Sequence, residues 1–213
     1  MSQFRYRPYY KRTLPHYQPP GAILFVTFRL AGSLPVNVIQ RLREEFHRAE
    51  TEITTIKNPQ ERARRRYEEQ RRYFGKWDNA LDTSTTGPFW LKDKRVADIV
   101  AKSLHFLNNE RYMLDAYSIM SNHAHAVFQP LPKGDGYHSL TSIMHSIKVF
   151  TALESNKILN RSGQFWQPET YDHVVRDDAE WRRILRYVVY NPVKAGLVTE
   201  WNDWPWTYCR FDL

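Results

Sequence analysis

Apolar residues recur along this chain in two periods, and the alternation between them lays out the elements. "AILFVTFRL", residues 22–30, is an unbroken β-branched and aromatic run bounded by Gly21 and Gly32, which predicts a buried strand. From Pro35 to about Thr55, Val38, Ile39, Leu42 and Phe46 recur at helical spacing. "NPQERARRRYEEQRRYFGKW" restarts a helix with Asn58 as its cap, Pro59 in the first turn and Gly75 near its end. Beyond the polar "DTSTTG", Val96, Ile99, Val100 and Leu104 mark a helix over roughly 94–107. Two strand-like runs, "YMLDAYSIM" and "AHAVFQP", are set to pair as a hairpin across Ser121 and Asn122, and "LPKGDG" reads as a loop. Leu140, Ile143, Ile147, Phe150 and Leu153 then form the stripe of an amphipathic helix. A strand in "YDHVVR" precedes a last helix, "DDAEWRRILRYVVYNP", with an acidic start and a terminal Asn-Pro. Strands and helices interleave, so the expectation is a layered α+β or α/β domain with helices against one sheet.

Composition narrows the partner more than the fold. With 213 residues, 42% of them hydrophobic, the chain can bury one core but not two independent ones. The expected division is an arm at 1–20, a single domain at 21–208 and a short tail at 209–213. Lys and Arg outnumber Asp and Glu by 31 to 23, a net charge of +8 that favours a polyanion. Cys209 is the only cysteine, which excludes disulfide frameworks and cysteine-built zinc sites and fits a reducing compartment. No run approaches the about 18 apolar residues of a membrane span, and "MSQFRYRPYYKR" is no secretory leader. A cytoplasmic, nucleoid-associated location is expected.

Two histidines stand two apart inside the apolar run "DAYSIMSNHAHAVFQP". On a strand such residues share a face with Cα atoms about 6.6 Å apart, so His123 and His125 can aim both rings at one divalent ion. Hydrogen bonding at a sheet surface is the alternative use of the same pair. His16, His47, His105, His138, His145 and His173 show no such spacing.

In the last helix Trp181, Ile184, Leu185 and Val188 form the apolar stripe, leaving Arg183, Tyr187 and Asn191 in register at four-residue intervals. Tyr187 reads either as a half-buried aromatic with a wet hydroxyl or as a nucleophile. A phenol of pKa about 10 attacks at neutral pH only beside positive charge or a metal, and Asn191 could bring an oxygen ligand there. Otherwise Asn191 stops the helix or caps a short turn ended by Gly196.

Five segments in this order, "LPHYQPPGAILFVTFRLAGSLP", "SIMSNHAHAVFQP", "FWQPETYDHVVRD", "RRILRYVVYNPVKAGLV" and "WNDWPW", resemble the REP-associated tyrosine transposases, a branch of the single-tyrosine transposases in the HUH superfamily. The resemblance implies a ferredoxin-like α+β fold, a central antiparallel sheet with helices packed mainly on one side. It places His123, His125 and Asn191 at the positions of metal ligands for Mg²⁺ or Mn²⁺, and Tyr187 at that of the nucleophile. It implies nicking and rejoining of single-stranded, hairpin-bearing DNA through a 5′-phosphotyrosine, with no nucleotide cofactor, by a monomer rather than the dimer of insertion-sequence relatives. Ser121, where many relatives have Pro, and the small Ala124 between the histidines depart from the pattern without removing a ligand. Tyr190, about 60° around the helix from Tyr187, is the fallback nucleophile, and Tyr171 is assigned to packing.

For DNA, the arm with Arg5, Arg7, Lys11 and Arg12 among tyrosines suits a backbone groove with base stacking. Arg183, Arg186 and Lys194 are near enough in sequence to grip a cleaved phosphate. The arginines of 62–72 face Glu61, Glu68 and Glu69, which suits a solvated helix face instead. Two other readings share these residues: a catalytically silent DNA- or RNA-hairpin binder, and a metal phosphodiesterase that uses water.

Overall fold

A computed structural model of the chain describes residues 6–11 and 15–213, with backbone alone at residues 10, 11, 15 and 16. It divides into two compact units, Gly32–Pro88 and the remainder.

The larger unit begins with β1 (Tyr9–Lys11) and β2 (Pro15–Tyr17), an antiparallel ribbon. The expected arm is therefore a hairpin over these residues. Its open end is tied down by Gln18, whose backbone N–H donates to Pro8 O at 2.8 Å and whose side-chain amide donates to Arg7 O at 2.6 Å. β3 (Leu24–Arg29) is the buried strand expected at 22–30, and its six residues are all buried because both faces are covered.

Five strands form an antiparallel sheet: β3, β4 (Tyr112–Ile119), β5 (His123–Pro130), β8 (Tyr171–Val174) and β9 (Thr207–Cys209), in the order β8-β3-β5-β4-β9. β4 and β5 meet through the expected tight turn, closed by Met120 N–H donating to His123 O at 2.9 Å. After β5, β6 (Pro132–Lys133) and β7 (Gly136–Tyr137) pair briefly where a plain loop was expected.

Alternation along β3 sorts the two faces. Leu24, Val26 and Phe28 join one core with α3 (Lys94–Phe106) and α4 (Leu140–Ile158), through Val96, Val100, Leu104, Ile143 and Ile147. The predicted stripe of α4 needs correction: Phe150 and Leu153 are exposed, and the buried face continues instead through Thr151 and Ser155. Thr151 is buried without penalty because its hydroxyl donates to Ile147 O and accepts from Trp166 Nε1. Phe25 points the other way and its ring meets Tyr187 on α5 (Asp178–Val189), so the tyrosine helix lies on the face opposite α3 and α4. α6 (Asn191–Lys194) follows after one residue.

The smaller unit is a helical hairpin of α1 (Val36–Thr54) and α2 (Pro59–Asp82). Asn58 caps α2 as predicted, accepting from the N–H of Gln60 and Glu61. The helix does not stop near Gly75 but runs on to Asp82, since nothing at Gly75 demands a positive φ. Phe46 stacks on Tyr73 at 4.3 Å, and Arg66 pairs with Glu50. Arg64, Arg65 and Arg72 engage Glu61, Glu68 and Glu69 on α2 itself, the solvated face that the sequence suggests. Among the described residues no helix is long and apolar enough to cross a membrane.

Candidate active site

The histidine pair is where strand alternation puts it: His123 and His125 lie on one face of β5, buried, with Nε2 atoms 3.0 Å apart. Each ring is held from behind. His123 Nδ1 lies 2.7 Å from Asn122 Oδ1, so that nitrogen carries the hydrogen and Nε2 presents a lone pair. His125 Nδ1 lies 2.7 Å from Thr27 Oγ1, the hydroxyl of the residue directly across on β3.

A hydroxyl can donate or accept, and this sets what the pair can do. When Thr27 donates, His125 carries its proton on Nε2 and gives it to His123. When Thr27 accepts, both Nε2 atoms show lone pairs to the same point, the arrangement a divalent cation requires of two imidazoles. Strand register thus supplies Thr27, which sequence spacing cannot reveal; Asn122 was visible only as a turn residue.

Tyr187 comes to this pair from α5. Its ring meets that of His125 with centroids 5.7 Å apart at 66°, and Lys194 Nζ lies 6.0 Å from the centre of the phenol ring. Asn191 is 1% exposed, and both its side-chain oxygen and nitrogen are buried with no hydrogen-bond partner among the described residues. Its side chain makes no capping hydrogen bond to the short α6 that it begins, while α5 ends two residues before it, at Val189. A buried amide left unpaired costs about 1–3 kcal/mol, which a hydrogen-bond donor or a cation at its oxygen would offset. Two imidazole nitrogens facing one point suit a borderline divalent ion, and an amide oxygen such as that of Asn191 is a donor for a hard one. Tyr190 is exposed at the C-terminal end of α5, on a different side from Tyr187.

The helix itself is pinned at its start. Glu180, 3% exposed, accepts from Arg176 Nε at 3.1 Å and Arg183 at 3.0 Å, and faces His173 Nε2 of β8 at 3.3 Å. Next to it Trp181 Nε1 donates to Asp115 Oδ2 of β4, which also pairs with Arg210. Glu180 thus ties the start of α5 to β8, and Trp181 ties it to Asp115 of β4, seven and six residues before the tyrosine. Arg183, expected at a phosphate, is engaged with Glu180, while Arg186 is exposed. Tyr171 packs its ring against Phe25. Arg7 is exposed; Arg5 and Arg12 and the side chain of Lys11 lie outside the described residues.

No family model matches the chain. It is 30% identical over 103 residues, 48% of this chain and 57% of the relative, to the REP-associated tyrosine transposase of Escherichia coli K12. The chain is similar to REP-associated tyrosine transposases. A Haemophilus influenzae protein whose name assigns it provisionally to the same group is also 30% identical, over 105 residues, 46% of this chain and 59% of that one. The match thus spans less than three fifths of either relative's length. Among solved structures, a REP-associated tyrosine transposase bound to a REP hairpin covers 97% of this chain, and the chain covers 82% of it, with a TM-score of 0.51 and 18% identity. The α+β fold with its antiparallel sheet is shared with that transposase.

Proposed function

We propose that this chain is a metal-dependent transposase or nuclease of single-stranded DNA, which nicks and rejoins hairpin-bearing DNA through a 5′-phosphotyrosine on Tyr187. The observation that carries the reading is the meeting of Tyr187 with His125, whose Nε2 faces that of His123; four residues on from the tyrosine, the buried Asn191 side chain has no hydrogen-bond partner among the described residues. The names of the relatives and the hairpin bound by the solved neighbour support the choice of substrate.

His123, His125 and Asn191 would hold Mg²⁺ or Mn²⁺. When bound, such a cation supplies Lewis-acid polarisation of a phosphate oxygen and offsets its charge. The phenolic oxygen of Tyr187 attacks phosphorus, the new O–P bond replaces the bond to the 3′ oxygen, and the proton given up by the phenol balances the one gained by the departing 3′-hydroxyl. Lys194 places positive charge beside the ring, which favours the phenolate. The exchange conserves one phosphodiester-type bond, so a second 3′-hydroxyl can reverse it and join strands. Asn122 and Thr27 hold the imidazoles, and the contacts of Glu180 with His173 and of Trp181 with Asp115 hold the tyrosine helix, so the reacting groups are preorganised.

The test is a denaturing gel with a DNA hairpin carrying a single-stranded extension and a 3′ fluorophore, incubated with Mn²⁺. The label should migrate with the protein, should do so with Tyr190→Phe, and should not with Tyr187→Phe. Adduct persisting in Tyr187→Phe refutes the assignment; binding without adduct under either ion favours a silent hairpin binder. Hydrolysis that survives Tyr187→Phe favours water as nucleophile.

A further inference from the structure

Three described tyrosines are exposed, and two of them, Tyr9 and Tyr17 at 58% and 57%, stand directly opposite each other across the ribbon of β1 and β2. Facing residues of an antiparallel pair have Cβ atoms about 5 Å apart and point to the same side. The two rings thus form one aromatic face turned to solvent.

This ribbon is not a loose end. Its base is locked by the buried Gln18, whose Oε1 accepts from the N–H of Leu140 at the start of α4, while Tyr6 Oη donates to Gln18 O at 2.7 Å. Tyr6 in turn packs its ring on Tyr137 of β7. Rings that served folding would be turned inward, as Tyr112 and Tyr117 are. A pair of exposed phenols on a hydrogen-bonded ribbon offers a flat partner two rings whose backbone is already ordered.

We propose that Tyr9 and Tyr17 form a stacking platform for unpaired bases of single-stranded DNA. Two observations choose this occupant. The net charge of +8 and the exposed Arg7 beside the ribbon call for a polyanion, and flat rings of similar size call for bases whose faces are free. A duplex covers those faces, so the unpaired part of the substrate is the part that fits. The proposal rests on the reading of the chain as acting on hairpins with single-stranded extensions, and adds which residues hold the extension.

The experiment uses the full chain carrying Tyr187→Phe, so that no covalent step intervenes, with EDTA present. Fluorescence anisotropy measures binding of fluorescein-labelled dT20 and of a blunt, fully paired hairpin at fixed salt. Tyr9→Ala with Tyr17→Ala should weaken dT20 binding by about tenfold per ring, the scale of one base stacked on one aromatic, and change blunt-hairpin binding less than twofold. Tyr9→Phe with Tyr17→Phe keeps the rings and should stay within twofold of the parent on both probes. Equal dT20 affinity in the alanine pair and the parent overturns the platform alone. Equal losses in the phenylalanine and alanine pairs also overturn it, since the hydroxyls would then be the contact. A parent that binds neither probe overturns the platform and the single-strand reading together.

Discussion

Replacing Glu180 with Gln tests whether the tyrosine helix is held where the chemistry needs it. The carboxylate receives Arg176 through Nε and backbone N–H, both at 3.1 Å, Arg183 at 3.0 Å, and faces His173 at 3.3 Å. Hydrogen bonds to a buried charge contribute about 1.5–3 kcal/mol each when both partners are desolvated. Arg176 and Arg183 are half exposed, at 50% and 53%, so each rehydrates when released and its share falls to about 0.5–1 kcal/mol. The nearly buried His173 and the backbone N–H add about 1 kcal/mol each, for a total near 3 kcal/mol, at the low end of what breaking a buried pair costs.

At about 2–4 °C per kcal/mol for a chain of this size, the unfolding midpoint should fall by roughly 6–12 °C. Adduct formation, measured well below that midpoint, should slow by about 10- to 100-fold at saturating DNA, because a small displacement of an attacking group is enough to lose that much. Half-saturation by DNA should change little. Glu180→Asp keeps the charge and should recover part of both losses. A Gln variant with native melting and native adduct rate would show that α5 needs no anchor at Glu180, and the reasoning would be wrong.

Thr27→Val removes the hydroxyl at His125 Nδ1, the acceptor that lets His125 show its Nε2 lone pair to a cation. The Mn²⁺ concentration for half-maximal adduct formation should rise about 10- to 100-fold, and an unchanged value would remove Thr27 from the site. Asp115 supplies the pH test: burial raises its carboxyl pKa, while the hydrogen bond from Trp181 and the charge of Arg210 pull the other way. Because the folded state binds the proton more tightly than the unfolded one, this group's contribution to stability is full below the ordinary carboxylate pKa and is lost as pH rises through the raised value. Urea midpoints of wild type and Asp115→Asn, compared between pH 6.5 and 4.5, should therefore shift in favour of wild type at the lower pH; a shift toward the variant contradicts the sign.

What could be read from the residues was whatever a local period carries. The histidine strand, its hairpin, the Asn58 cap and the helix that carries Tyr187 all follow from spacings of two, three or four residues, whereas the four-residue register from Tyr187 to Asn191 crosses the end of α5 at Val189 into α6. The α4 stripe misled because Thr151 and Ser155 are polar by type yet buried by small size, which rotated the buried face away from Phe150 and Leu153. The N-terminal ribbon escaped notice because three-residue strands are too short to show a period. Thr27 behind His125, and His173 beside Glu180, are joined only by tertiary pairing, 98 residues apart in the first case, and no one-dimensional pattern marks them.

The most direct measurement is peptide mass spectrometry of the covalent product after nuclease trimming. The nucleotide should sit as a 5′-phosphate ester on the peptide containing Tyr187, at the Tyr187 oxygen. A nucleotide on Tyr190 or any other residue, or a released fragment with no protein-bound phosphate at all, would contradict the account.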